Sequence, residues 1–156
     1  MRWLHDWYKG QANPGTIAFG VILPKYIYHG TSRDQMWVGW DCLFQLFQKR
    51  DLDVQILSLW TLMEAHHCKL KNKTDIAFLD PVIVNEKTCK GIWHDACETI
   101  TKLLKVFKEC KDKESILLAY NCDFYYIFLD IKLHSGIIKV YNSKRRPLKH
   151  SNPSNA

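Results

Sequence analysis

The chain has 156 residues, 47% of them apolar and 13% aromatic, with six Trp, so it carries enough material for one folded core and is too hydrophobic for general disorder. The longest apolar run, Ile17 to Leu23, is far short of the roughly 20 residues a bilayer helix needs, so no membrane partner is expected. Net charge is +6, yet Lys144, Arg145, Arg146 and Lys149 stand in a C-terminal stretch without acids; without them, 18 basic residues face 16 acidic ones. The basic tail is a candidate nucleic-acid contact or nuclear address.

The N-terminus meets Asp6 before any apolar signal core forms, which predicts an intracellular chain, nuclear or cytosolic, with reduced thiols. The six Cys include no CxxC pair. His66, His67, Cys68, Cys89, His94 and Cys97 are the residues from which a metal site could be drawn. Adjacent His66 and His67 point about 100° apart on a helix, so they are read as ordinary side chains and no metal or other cofactor is expected.

In chain order, Trp3, Leu4, Trp7 and Tyr8 give residues 1–9 the stripe of a short amphipathic helix, ended by Asn13-Pro14-Gly15. Ile17 to Leu23 reads as a buried strand closed by Pro24, and Tyr26 to Gly30 as extended or loop. Asp41 is a candidate N-cap for a short helix bearing Leu43, Phe44, Leu46 and Phe47. Asp51 or Asp53 opens a longer helix to about Lys69. Its apolar residues Val54, Ile56, Leu57, Trp60, Leu62 and Met63 cover more than one face and predict central burial.

Ile76 to Leu79 reads as a short strand before the Asp80-Pro81 turn. Ile92 to Lys111 predicts an amphipathic helix burying Ala96, Ile100, Leu103, Leu104, Phe107 and Cys110, with Lys105, Lys108, Glu109 and Lys111 in water. Strands follow at Ser115–Tyr120, Phe124–Leu133 and Gly136–Tyr141, the last two joined by a turn at His134-Ser135-Gly136. Helices first and strands after point to an α+β fold with an antiparallel or mixed sheet.

Four segments in order resemble plant proteins with a ubiquitin-like-protease domain, which transposable elements often encode. Leu52 to Glu64 looks like the family's buried helix, and Ile76-Ala77-Phe78-Leu79-Asp80-Pro81 is similar to its IGFxDP segment. Ser115 to Asn121 resembles the strand before its HW motif, and Gly136 to Ser143 resembles its G-x-V-x-V-x-D-S strand. The resemblance covers about residues 35–147. It implies a papain-like cysteine peptidase fold of the SUMO-protease type, with 1–34 an extension packing on the domain and 148–156 a disordered polar tail. Its implied activity is cleavage after the C-terminal glycine of a ubiquitin-like modifier, by a Cys activated by a His that an Asp orients, with a Gln in the oxyanion hole.

Carried over residue by residue, the family His falls on Tyr125, its Trp on Tyr126 and its Asp on Asn142. With the hairpin turning at His134-Ser135, residue 127 faces 142 and 125 faces 144, so Tyr125 and Asn142 are diagonal neighbours about 7–8 Å apart. A Tyr, with an ordinary pKa of about 10, is no base near neutrality, and Asn carries no charge for an imidazolium. The family's Cys and Gln lie beyond the DS strand, whereas this sequence runs thirteen residues past Ser143 in polar tail sequence and holds no Q-x5-C-G pattern. His134 is nine residues from Tyr125 along a strand, roughly 30 Å at ~3.3 Å per residue, and Cys122 reads as a small apolar residue at a strand end.

The expectation is thus a truncated, degenerate and catalytically inactive member of the family. A ubiquitin-like modifier is the candidate partner, Tyr126 a candidate contact to it, and a non-catalytic binding module the alternative reading. Loss of the family's C-terminal helices would leave an apolar sheet face bare.

Overall fold

The computed structural model describes residues 2–12, 15–24, 28–29, 34–90, 96–122 and 125–144. Helix α1 (Arg2–Gln11) leads into β1 (Ala18–Ile22), followed by β2 (Tyr28–His29), β3 (Gln35–Gly39), α2 (Trp40–Phe47) and α3 (Val54–Leu70). Then come β4 (Ile76–Leu79), α4 (Glu86–Cys89), α5 (Ala96–Glu109), β5 (Ser115–Cys122), β6 (Tyr125–Lys132) and β7 (Ile137–Tyr141). The architecture is α+β. A five-stranded mixed sheet runs β2-β4-β5-β6-β7, with β2, β4 and β5 parallel and β5, β6 and β7 antiparallel. A separate antiparallel pair joins β1 to β3.

The period-two alternation of β4 and β5 divides the interior into two cores. Phe78 and Leu117 point to one face and meet Ile56, Leu62 and Ala65 of α3. Ala77, Leu79, Ile116 and Leu118 point to the other and meet Val106 and Cys110 beside α5. The first core continues through Met36 and Val38 of β3 into Trp40, Cys42 and Leu43 of α2. Helix α1 closes that end: the Trp7 and Tyr8 rings lie 5.5 and 5.7 Å from the Trp40 ring.

Local chemistry sets the boundaries. Asp53 caps α3, its Oδ1 accepting the Gln55 N–H at 2.7 Å. Asn85 and Thr88 form a reciprocal capping box around α4. The Asp80-Pro81 turn is pinned from inside, because buried Asp80 Oδ1 accepts from Ser58 Oγ (2.9 Å) and from Val82 N (3.0 Å). The motif that ends β4 therefore ties that strand to α3.

Several expectations need correction. Gly39, and not Asp41, is the N-cap of α2, and Asp41 sits in its first turn. The strand at 18–22 is not buried: Ile17 and Ile22 are exposed, since β1 pairs only with β3 and lies outside the main sheet. Helix α3 buries Ile56, Ser58, Thr61, Leu62 and Ala65 on more than one face, Ile56 standing about 200° round from Ser58, but Trp60 and Met63, expected inside, face solvent. Along α5 the inward line is Thr99, half-buried Leu103 and Val106, continued by Cys110 just past its end, so Ile100 and Leu104, expected inside, are exposed. Residues 13–14, 26–27, 30, 91–95, 123–124 and the tail beyond 144 lie outside the described residues.

Candidate functional site

The β6–β7 hairpin has the expected register. Phe128 faces Tyr141 and Lys132 faces Ile137, so the same spacing sets 127 against 142 and 125 against 144. The turn spans 133–136, with Gly136 at φ +64°, a left-handed position that favours glycine. At the open end, the Lys144 ammonium stands 4.3 Å from the centre of the Tyr125 ring, a cation–π contact in line with that register.

The chemistry of the open end is not that of a triad. Asn142 spends its side-chain oxygen on the Lys144 backbone N–H at 2.9 Å, a local turn. Tyr125 stands opposite Cys122 on β5. Burial pushes the Cys122 thiol up, Glu86 adds to the rise, and the Tyr125 hydrogen bond opposes it. Neither of these two neighbours is an imidazole. Tyr120, across from Ile127, is pushed up to about 12, first by burial and then by Cys89 beside it. Tyr126 pairs with Asn121; burial raises its hydroxyl, the Asn121 hydrogen bond lowers it and Asp53 raises it further. His134 lies in the turn at the far end of the hairpin.

The outer ribbon is bare. Ile138 and Val140 of β7 are 57% and 58% exposed, and Ile137 and Tyr141 are exposed beside them. Strand β7 also ends the sheet, so among the described residues its outward backbone groups have no strand partner there.

A second constellation went unforeseen from sequence. Between β3, α2 and the start of α3 lies an open cleft of about 630 Å³. Gln55 Oε1 accepts from the Gly39 N–H (3.0 Å) and from the Cys42 thiol (3.6 Å). That thiol is pushed up to about 11, by burial first, then by the charges of Asp53 and Asp41. Cysteine and glutamine thus meet where α2 and α3 begin, but burial and the surrounding acids hold the thiol protonated. Only the two helix starts, at Asp41 and Asp53, were visible as single residues; their convergence depends on how α2 packs on α3.

Among the described residues no three His, Cys, Asp or Glu side chains converge as metal ligands, and no helix is long and apolar enough to cross a membrane. Fold and hairpin together define an α+β protein whose mixed sheet ends in an exposed antiparallel ribbon. Neither protein-family models nor curated proteins match the sequence, and no solved structure matches the fold.

Proposed function

We propose that this chain is a non-catalytic protein-binding module derived from a ubiquitin-like-protease domain of papain-like fold, and that it takes a ubiquitin-like modifier on the β6–β7 ribbon. The observation that carries the binding role is the bare outer strand. Four large apolar side chains, Ile137, Ile138, Val140 and Tyr141, stand in solvent on a strand with a free edge, the form in which an extended segment adds to a sheet. Tyr126 flanks the ribbon as a further contact.

The electrostatics support a non-catalytic role. A cysteine nucleophile works as thiolate, and the thiols of Cys42, Cys110 and Cys122 are all pushed the other way. At the carried-over positions, Tyr125 is held by Cys122 and Lys144, and Asn142 by its own turn. The family derivation rests on the four segments in order and on the hairpin register they lead to.

Titration of isotope-labelled ubiquitin-like modifier with the full chain tests the reading. Shifts confined to one face of the modifier, lost in an Ile138→Lys variant, are expected; no shift at about 1 mM chain would overturn the binding role. Incubation with a fluorogenic modifier C-terminal substrate should give no turnover. Turnover that stops when a single Cys is alkylated would overturn the non-catalytic reading.

A further inference from the structure

We propose that the cleft between β3, α2 and the start of α3 binds an arginine side chain of a partner peptide. The site is separate from the β6–β7 ribbon, and the proposal does not depend on the function assigned to it. Three features of the cleft converge on this ligand.

Charge comes first. Asp41 and Asp53 both line the cleft, so two carboxylates share one space, and among the described residues none that lines it is basic. The geometry is fixed by the backbone. A Cβ at position 39 would collide with the Asp41 carboxylate, so Gly39 lets that group fold over the helix start. Asp53 commits one oxygen to capping α3 through the Gln55 N–H, which leaves the other for a ligand.

The wall is the second feature. Trp37 lines the same cleft as the two carboxylates and is 59% exposed, its indole lying over Gly20. A planar cation can lie on that face and direct its N–H groups at the acids.

The third is an orphan donor. Trp40 also lines the cleft and is only 8% exposed, and its indole Nε1–H is buried with no acceptor among the described residues. Its ring is clamped 4.9 Å from Phe19 and 5.5 Å from Trp7. A buried donor without a partner costs stability, so a ligand that brings an acceptor gains by supplying it. A simple quaternary ammonium or a metal ion has no acceptor to offer. An arginine within a peptide has both parts: a guanidinium for the acids and Trp37, and a flanking carbonyl oxygen for Trp40. A cleft of about 630 Å³ is ample for one such side chain and its backbone.

The test titrates the full chain with an acetylated, amidated Gly-Arg-Gly peptide and its lysine and citrulline counterparts, reading the indole N–H resonances of Trp37 and Trp40. Arginine should move both, and citrulline, the uncharged isostere, should bind at least about tenfold more weakly, the equivalent of ~1.4 kcal/mol. Asp41→Asn with Asp53→Asn should weaken arginine binding by at least about tenfold while leaving the circular dichroism unchanged, because Asn caps a helix as well as Asp. Equal binding of arginine and citrulline overturns the proposal, as does unchanged affinity in the double variant, or shifts that spare both indoles. Binding that appears only after residues 145–156 are removed would assign the cleft to the chain's own basic tail, and overturns the partner proposal.

Discussion

A thiol in the first turn of a helix ordinarily ionises early, because the unpaired backbone N–H groups there favour an anion. Cys42 occupies that position in α2 and goes the opposite way, to about 11, because burial and the carboxylates of Asp53 and Asp41 outweigh the helix end. Cys110, fully buried beside α5, also stands at about 11, with burial the main cause. Both values lie above the ordinary 9.0, so the folded chain holds these protons more tightly than the unfolded chain. Their contribution to stability is therefore complete below pH 9 and is lost as pH rises through 11, by about 2–3 kcal/mol for each thiol. Urea unfolding at steps from pH 8 to 11 should show that decline, and Cys110→Ala should flatten it. Asp80 is a buried group of another kind, an acceptor whose Oδ1 is shared by Ser58 and Val82. Asp80→Ala removes the acceptor of a buried hydroxyl and a part-buried N–H and should destabilise by about 3 kcal/mol in the same assay.

At the level of elements, the sequence revealed a segment wherever one local rule decided its fate. Gly136 and the alternating run on either side of it set the β6–β7 register, and Asp53 set the start of α3. Helix α5 was legible as a helix, but its rotation was not. Thr99, Leu103, Val106 and Cys110 make one line, Ile100 and Leu104 a neighbouring one, and only the sheet beneath decides which is covered. The same limit hid the cleft, since Asp41 and Asp53 belong to different helices whose meeting is a tertiary fact. Strand β7 illustrates a further gap: its apolar alternation resembles a strand of a covered sheet, yet the structure leaves it bare. A long, apolar, free edge promotes strand-to-strand association. Ile138→Lys should therefore lower self-association in analytical ultracentrifugation while leaving Tm nearly unchanged, because that side chain is already largely in water.

For the whole molecule, the sheet acts as a wall shared by two cores, with neighbouring residues of β4 and β5 facing opposite sides. Loss of either core removes support from the strands that bound the other, so unfolding should be one cooperative transition. Charge is distributed differently from packing. Without residues 144–156 the chain is close to neutral at +2, so any affinity for a polyanion is concentrated in Lys144, Arg145, Arg146 and Lys149. Each phosphate neutralised by such a residue releases condensed counterions, which makes binding fall with salt in proportion to the number of contacts. Four contacts on a short DNA duplex should give a slope of log affinity against log salt of about −3 to −4, measured by fluorescence anisotropy. Deletion of 144–156 should abolish that binding. Affinity and slope that survive the deletion would move the contact to the body, where Lys102 and Lys105 on α5 already pair with Glu98 and Glu109 and have less charge to offer.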